Sequence, residues 1–284
     1  MKYNLSDKKT IDKLLAEAGF TFKKSLGQNF LTDPTVCPEM AYAAADENTG
    51  VLEIGPGIGV LTAELCKTAK KVVTIELDER LRPVLAKTLA DFENVKVIFG
   101  DAMKLDLRQI IEENFSDCEN VTVCANLPYY ITSPIIMMLL ESKLPIKSIT
   151  VMIQKEAAER LCAPIPSREV GAVTLSAAYF SKGEILFSVG RESFTPSPNV
   201  DSTVIRLNIL EKPPVTVKSE KNFFALIRAA FTHRRKTLVN SVSSAGFSKE
   251  DILAGLEALG IKPTARAEEL SLSQFAALSD SLTK

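Results

Sequence analysis

Four apolar runs in the first half of the chain end in polar residues or glycine, and these end residues carry the candidate chemistry. They are Gly55, Glu76, Asp101 and Asn126. If the runs are parallel strands, their carboxyl ends share one edge of the sheet, where open α/β sheets bind ligands. The spacing from Gly55 to Glu76 suits a carboxylate that accepts from the two hydroxyls of a ribose. Asp101 could accept from an exocyclic amine such as adenine N6. For both acids a solvated loop carboxylate or a helix cap is the alternative.

The first of these runs leads into a turn with glycines at alternate positions, Gly55, Gly57 and Gly59. A strand, a glycine turn and a helix leave backbone N–H groups free to face a ligand. The dinucleotide fingerprint requires a glycine where this chain has Val60, so a nucleoside with an amino-acid tail is favoured over a pyrophosphate. A turn with no ligand is the alternative. We expect Glu53, an acid within an apolar strand, to hold the turn by accepting backbone N–H bonds.

The sharpest motif follows the fourth run and reads Asn126-Leu127-Pro128-Tyr129-Tyr130. Pro128 has a fixed φ and biases Leu127 away from helix. The Asn126 side-chain carbonyl and nearby backbone carbonyls would then face one point, where they could hold an amino group. Tyr129 could stack on the ring that carries this group. The alternative is a proline-rigidified turn with two core tyrosines.

The elements that must position these residues alternate between strand-like and helical runs as far as residue 180. This alternation predicts a parallel, doubly wound α/β sheet. Two later strand-like runs, 185–189 and 203–209, have no helix between them, which predicts an antiparallel end to the sheet. At the start of the chain, Asp33 is predicted to cap a helix, and the preceding residues 23–31 are predicted to form a loop. Beyond the linker 211–214, the tail is predicted to be helical.

Composition narrows the class of protein. The chain has 284 residues, of which 46% are hydrophobic and 24% are charged, as in ordinary soluble proteins. Its net charge of -1 provides no overall attraction for nucleic acid, so any such contact requires a local basic surface. Residues 233–236 could touch phosphate, although cations favoured at a helix C-terminus are an equal explanation.

The five cysteines are dispersed and His233 is the single histidine. We therefore expect no metal site, and reduced thiols in a cytoplasmic protein. No signal peptide or membrane-spanning run is visible.

Several motifs together resemble those of the ribosomal RNA adenine dimethyltransferases. The matching stretches, in a consistent order along the chain, are K-S-L-G-Q-N-F-L at 24–31, E-I-G-P-G-I-G at 53–59, N-L-P-Y at 126–129, F-T-P-S-P-N-V-D-S at 194–202 and F-T-H-R-R-K-T-L at 231–238. The helical tail is similar to that of the bacterial small-subunit enzymes, which dimethylate two adjacent adenines in a 16S rRNA hairpin. It fits the macrolide-resistance relatives less well.

The resemblance implies a fold and a domain organisation. The expected fold is a doubly wound, seven-stranded Rossmann-like methyltransferase sheet, mostly parallel with an antiparallel end, followed by a small all-α domain. We expect an N-terminal arm at 1–22, an S-adenosylmethionine-dependent methyltransferase domain at 23–210 and a helical RNA-binding domain at 215–284.

The resemblance also implies cofactor-binding roles for six residues. Residues 29 and 31 would contact S-adenosylmethionine from the N-terminal loop, residue 55 would meet its methionine end, residue 76 its ribose, residue 101 its adenine and residue 126 its amino group. In sequence order these residues are Asn29, Leu31, Gly55, Glu76, Asp101 and Asn126.

On the target side, Tyr129 and Phe194 would sandwich a flipped adenine. The Asn126 carbonyl, together with the Leu127 or Pro128 backbone carbonyl, would hold N6 in line with the methyl group. No strong base is expected, because the N6 lone pair is delocalised into the ring and the reaction depends on positioning. Phe194 could not have been identified without the resemblance.

The predicted function is transfer of methyl groups from S-adenosylmethionine to N6 of two adjacent adenines in a hairpin near the 3′ end of 16S rRNA, during small-subunit biogenesis. The expected partner is 16S rRNA or the immature small subunit, with no metal and no membrane, and the expected state is a monomer. The main alternative is a non-enzymatic assembly or nucleic-acid-binding factor on the same fold. A nicotinamide dehydrogenase is disfavoured by Val60 and by the lack of an acid–base pair for hydride transfer.

Overall fold

The computed structural model describes residues 3–17, 19 and 30–283. The chain forms two compact units. The first combines Met1–Ala158 with Glu184–Ile209, and the second combines Glu159–Gly183 with Leu210–Lys284. Within the described residues, no helix has the length and apolar character needed to cross a membrane.

In the described part of the chain, seven strands form the main sheet and two short strands pair separately. The strands are β1 (Phe30–Leu31), β2 (Thr49–Ile54), β3 (Lys71–Glu76), β4 (Val95–Phe99), β5 (Asn120–Asn126), β6 (Ser148–Gln154), β7 (Ser181–Val189), β8 (Phe194–Thr195) and β9 (Ser202–Ile209). The order in the main sheet is β4-β3-β2-β5-β6-β9-β7. Neighbours from β4 to β6 are parallel, whereas β9 runs antiparallel to β6. The predicted fold class is therefore confirmed.

The sheet is organised around β2 and β5, because successive strands depart from this pair in opposite directions. Strands β3 and β4 lie on one side, and β6 lies on the other. The carboxyl ends of β2 and β5 therefore form the switch point of the sheet, where a crevice opens. Every residue of β2 is buried, as expected for a parallel strand covered by helices.

Helices cover the sheet of the first unit. They are α1 (Lys8–Glu17), α2 (Val36–Ala44), α3 (Val60–Thr68), α4 (Arg82–Thr88), α5 (Leu107–Asn114), α6 (Thr132–Glu141) and α7 (Lys155–Leu161). Val51 of β2 and Val72 of β3 share an apolar cluster with α2 and α3. Ile11 of α1 shares a second cluster with Leu85 of α4. The helix within the predicted arm 1–22 is thus part of the core of the first unit.

Two local predictions near the N-terminus differ from the structure, the second at its last two residues only. Asp33 does not cap α2, which begins at Val36 with Thr35 at the N-cap position. Asp33 instead accepts hydrogen bonds from the Thr35 backbone N–H at 3.0 Å and from its hydroxyl at 2.7 Å, which forms a turn before the helix. Of the predicted loop 23–31, residues 23–29 lie outside the described part of the chain. Phe30–Leu31 form strand β1, where Phe30 pairs with Thr195 of β8.

The second unit has its own apolar core built from helices. These are α8 (Ala172–Phe180), α9 (Glu220–Ala230), α10 (Leu238–Ser243), α11 (Lys249–Ala258) and α12 (Leu272–Leu282). Leu175 and Tyr179 of α8 are buried in the same cluster as Phe223 of α9. The Tyr179 and Phe223 rings lie 5.2 Å apart between centroids. Residues 159–183, which fall within the predicted methyltransferase domain 23–210, therefore group with the C-terminal helices because their apolar side chains pack there.

Candidate active site

One cavity lies at the carboxyl ends of β2, β3 and β5, within the first unit. Of the predicted site residues, nine line it: Leu31, Gly55, Glu76, Asp101, Asn126, Leu127, Pro128, Tyr129 and Phe194. Asn29, the remaining predicted residue, lies outside the described part of the chain. The topology thus brings together side chains that are as much as 163 residues apart, from Leu31 to Phe194, at one place.

Two glycines of the β2–α3 turn are required for different reasons. Gly55 has φ of +74°, and a Cβ built on it would meet no atom within 4 Å, so its backbone borders open cavity. Gly59 has φ of +90° at the N-cap of α3. A Cβ on Gly59 would lie 3.1 Å from both Thr88 Oγ1 and Leu89 Cδ2. Gly55 therefore leaves space for a ligand, whereas Gly59 permits close packing beneath the turn.

The turn is not held by Glu53, contrary to the expectation from sequence. The Glu53 side chain is 1% exposed, and its Oε2 accepts from the Thr62 hydroxyl of α3 at 2.6 Å. Its Oε1 has no hydrogen-bond partner among the described residues. Burial raises the pKa of Glu53 to about 7, although the Thr62 hydroxyl opposes this shift. Glu53 thus ties β2 to α3 from beneath the turn.

Glu76 performs the task that the sequence suggested for Glu53. Its Oε2 accepts from the Gly57 backbone N–H at 3.2 Å, and its Oε1 accepts from the Asp78 backbone N–H at 2.8 Å. Glu76 is 6% exposed, and burial raises its pKa while these N–H groups oppose the shift. A carboxylate oxygen can accept more than one hydrogen bond. Glu76 therefore holds the glycine turn and retains acceptor capacity toward the cavity.

Asp101, which follows β4, is a loop carboxylate that caps a turn of its own. Its Oδ1 accepts from the Met103 backbone N–H at 3.0 Å, which closes a turn. Its Oδ2 lies 3.5 Å from Lys104 Nζ, an exposed ion pair that adds little stability. The same side chain borders the cavity.

Two large apolar residues beside these acids were missed by reasoning from the sequence. Leu77 is 53% exposed and Met103 is 44% exposed, and both line the cavity. Each follows a strand-ending acid by one or two residues. The sequence carries no signal for them, because their exposure at the cavity is visible only in the folded structure.

The turn after β5 presents two oxygen acceptors. Pro128 O already accepts from the Ile131 backbone N–H at 3.1 Å and from the Thr132 hydroxyl at 3.2 Å. Within the described residues, neither the Leu127 carbonyl oxygen nor the Asn126 side-chain amide has a hydrogen-bond partner. A carbonyl oxygen has two lone pairs. Of the two backbone carbonyls considered from the sequence, that of Leu127 is therefore the available acceptor.

The two predicted stacking residues are anchored by different contacts. The Tyr129 side chain is half-buried, and its hydroxyl lies 2.7 Å from the Ser202 hydroxyl. Burial raises the pKa of Tyr129, so its hydroxyl keeps its proton at neutral pH. Phe194 is 6% exposed and belongs to β8, where it pairs with Leu31. The Ser193 carbonyl accepts from the Thr32 backbone N–H at 2.7 Å, which extends this pairing by one residue.

Across residues 3–17, 19 and 30–283, no group of three or more His, Cys, Asp or Glu side chains is arranged to hold a metal ion. The chemistry available at the cavity is that of oxygen acceptors, backbone N–H groups and apolar or aromatic surfaces. Such a site can bind and orient a polar aromatic ligand.

Comparison with known proteins gives a consistent family. The sequence profile of the family described as Ribosomal RNA adenine dimethylase matches residues 19–284. The Ribosomal RNA small subunit methyltransferase A of Geobacillus thermodenitrificans is 46% identical over 275 residues, which cover 95% of this chain and 94% of that protein. The protein of the same name from Bacillus pumilus is 46% identical over 277 residues, covering 96% and 95%.

Solved structures agree with this comparison. A dimethyladenosine transferase from Plasmodium falciparum is 30% identical with a TM-score of 0.72, and the match covers 87% of this chain and 95% of that one. The 23S rRNA methyltransferase ErmE is 25% identical with a TM-score of 0.66, and the match covers 90% of this chain and all of that one.

Proposed function

The chain belongs to the ribosomal RNA adenine dimethylase family, and we propose from this premise that it methylates N6 of two adjacent adenines in a hairpin near the 3′ end of 16S rRNA. It is a methyltransferase that acts on ribosomal RNA, as the family implies. The observation that supports the proposed site is the position of the Asn126 turn beside the Glu76 and Asp101 carboxylates in one cavity at the switch point.

The cavity suits S-adenosylmethionine by the chemistry of its lining. Glu76 offers a buried carboxylate with acceptor capacity left, which fits the two hydroxyls of a ribose. Leu77 and Met103 offer apolar surface for an adenine ring, and Asp101 offers an acceptor for its amine. Gly55 leaves open space beside its backbone for the methionine end.

Leu31 contributes apolar surface to the same cavity. When bound, S-adenosylmethionine supplies an electrophilic methyl group attached to a positively charged sulfur. Asn29 belongs to this cofactor site by resemblance alone.

On the target side, the Asn126 side-chain carbonyl and the Leu127 backbone carbonyl hold the two hydrogens of an adenine N6 amine. The lone pair of this amine is delocalised into the ring, which makes it a poor nucleophile. Two fixed acceptors orient the amine toward the methyl group and favour the positive charge that develops on nitrogen. Asn126, Leu127, Pro128 and Tyr129 carry no side chain that acts as a strong base, so the site works by positioning.

The same two acceptors accommodate a second methylation. Transfer forms the N6–methyl bond as the sulfur–methyl bond breaks, with its electron pair staying on sulfur, and N6 then releases one proton to water. N6 keeps one hydrogen, and one of the two carbonyl oxygens is sufficient to hold it. The other oxygen then faces the methyl group already present. Pro128 maintains this geometry because its carbonyl oxygen is held by hydrogen bonds from the Ile131 N–H and the Thr132 hydroxyl.

Tyr129 and Phe194 provide the aromatic surfaces for a base that has left its stack. Removing a base from a helix costs a few kcal/mol, and stacking on aromatic side chains offsets part of this cost. Both side chains line the cavity that contains the acceptors. We also propose that 16S rRNA in the immature small subunit is the substrate and that the protein acts as a monomer.

The test is transfer of labelled methyl from S-adenosylmethionine to 16S rRNA, supplied naked and in partly assembled subunits. Asn126→Ala and Tyr129→Ala should each reduce transfer at least about 100-fold with an unchanged circular dichroism spectrum. Tyr42→Ala is the matched control, because Tyr42 is 84% exposed and does not line the cavity. Full activity in both site variants would reject the assigned site.

The alternative is a non-enzymatic assembly factor on the same fold. It predicts that the wild-type protein binds RNA but transfers no methyl group. Mass spectrometry of 16S rRNA from cells with and without the protein separates the two. Loss of dimethyladenosine without the protein, restored by the chain but not by Asn126→Ala, supports the enzyme. Unchanged dimethyladenosine in cells lacking the protein supports the assembly factor.

A further inference from the structure

The two consecutive tyrosines of the turn after β5 are held in different ways. The Tyr129 hydroxyl bonds to the Ser202 hydroxyl at 2.7 Å, and Ser202 is fully buried at the start of β9. Tyr130 is 54% exposed, and its side chain makes no hydrogen bond to any part of the chain that the structure describes. The anchoring contact is therefore specific to the tyrosine that borders the acceptors.

The anchor reaches across the sheet. Tyr129 follows β5, whereas Ser202 belongs to β9, and β6 lies between these two strands. Ser202 pairs with Gln154 at the end of β6. The turn itself is attached to β6 by the hydrogen bond from the Leu127 N–H to the Met152 carbonyl at 3.2 Å. That bond fixes the backbone of the turn but leaves the Tyr129 side-chain torsions free, and the Ser202 contact fixes the far end of the ring.

Ser202 is in turn tied to the segment that carries Phe194. The carbonyl of the preceding residue, Asp201, accepts from the Lys155 N–H at 3.0 Å, and its Oδ1 accepts from the Arg191 N–H at 3.1 Å. Residues 191–202 thus contain both Phe194 and the hydroxyl that holds Tyr129. The two aromatic side chains proposed to enclose the target base share one supporting segment.

Holding a ring before the ligand arrives removes a cost from binding. An aromatic side chain that must be ordered on binding loses rotamer freedom, which weakens binding. A misplaced ring also shifts the target from the geometry that transfer requires. We propose that Ser202 is a positioning residue for methyl transfer, acting through the Tyr129 hydroxyl to fix the plane on which the target adenine stacks.

This inference rests on the proposed function, and its test is a double-mutant cycle of Ser202→Ala, Tyr129→Phe and the two combined. Transfer to 16S rRNA and binding of S-adenosylmethionine are measured for each variant. Each single variant should lower kcat/KM for RNA about tenfold. The combined variant should lose no more than either single one, because all three lack the same hydrogen bond. Affinity for S-adenosylmethionine should be unchanged, since the ring and the Glu76 side are intact.

Thr150→Val is the matched control for loss of a buried hydroxyl. Thr150 lies on β6, is fully buried, and its hydroxyl has no hydrogen-bond partner among the described residues. This variant should keep wild-type transfer. If Ser202→Ala destabilises the fold, Tyr129→Phe still removes the bond without touching the sheet.

Wild-type kinetics in both single variants, or losses that multiply in the combined one, would overturn the role of Ser202 while leaving the methyltransferase intact. An unmodified chain that binds RNA but transfers no methyl would overturn the proposed function itself, and this inference with it.

Discussion

At the scale of single residues, the least expected feature is a carboxyl group enclosed beneath the ligand-binding turn. Glu53 accepts a hydrogen bond from the Thr62 hydroxyl, and its pKa is raised by burial from 4.5 to about 7. Between these two pH values the unfolded chain has released this proton, whereas the folded chain still holds it. The free energy of unfolding therefore decreases as pH rises through this interval.

Glu53→Gln should remove this decline, because glutamine stays neutral in both states. Relative to wild type, the variant should gain on the order of 3 kcal/mol in free energy of unfolding between about pH 5 and pH 8. Urea unfolding at a series of pH values measures the difference. Glu47→Gln, which removes an exposed carboxyl, is the control. Parallel stability profiles for wild type and Glu53→Gln would contradict the assigned cause.

At the scale of elements, the β2–α3 turn separates a requirement of folding from a requirement of binding. Gly55 and Gly59 both have positive φ, but of these two only Gly59 has neighbours that would lie within 4 Å of an added Cβ. A methyl group at position 59 would press on Thr88 and Leu89, whereas one at position 55 would extend into open space beside the cavity. The two positions therefore differ in what they constrain.

Gly59→Ala should lower the free energy of unfolding by about 2–4 kcal/mol, through both backbone strain and overpacking. Gly55→Ala should cost only the strain, about 1 kcal/mol, but should weaken S-adenosylmethionine binding tenfold or more. Urea denaturation and calorimetric titration give the two quantities. Equal stability losses with equal affinities would show that the turn does not divide these roles.

Prediction from sequence succeeded for the elements whose signals are local. Period and length identified the strand that leads into Gly55 and the strands that end at Glu76 and Asn126, because buried parallel strands are continuous apolar runs. It failed where a structure depends on distant partners. Strand β1 exists because Phe30 and Leu31 pair with β8, far along the chain, and two residues carry no periodic signal.

The candidate site followed the same division. Its acids and its Asn126 turn lie at strand ends and could be located from the pattern. The hydrogen-bond donors that each acid meets could not be predicted, because they depend on which groups the folded turn directs at the carboxyl. The turn-holding contacts expected of Glu53 are therefore made by Glu76. Phe194 and Leu77 required a family resemblance or the folded structure.

At the scale of the whole molecule, the boundary between the two compact units does not follow the chain. Residues 159–183 interrupt the first unit and belong to the second. Their apolar side chains, including Leu175 at 0% and Tyr179 at 3% exposure, are buried with Phe223. A cut at the linker 211–214 would therefore pass through the apolar core of the second unit. It would not separate two domains.

A chain truncated after Ile209 should accordingly expose Leu175 and Tyr179, bind 1-anilinonaphthalene-8-sulfonate and precipitate at concentrations where the full chain stays in solution. The combined substitution Leu175→Ser and Tyr179→Gln in the truncated chain should reduce dye binding, which identifies the source of the exposed surface. A truncated chain that remains monomeric and binds no dye would contradict this division.

The pairing of Leu31 with Phe194 has a consequence for the order of events at the site. Leu31, on one of these two strands, lines the proposed S-adenosylmethionine site. Phe194, on the other strand, forms one side of the proposed site for the target base. Because the two strands are hydrogen-bonded to each other, a shift that one ligand causes in its strand would be transmitted to the other strand and would couple the two binding steps. Such coupling is reciprocal: the factor by which the methyl donor tightens RNA binding equals the factor by which RNA tightens donor binding. Two segments that are remote in sequence would thereby link the two substrates thermodynamically.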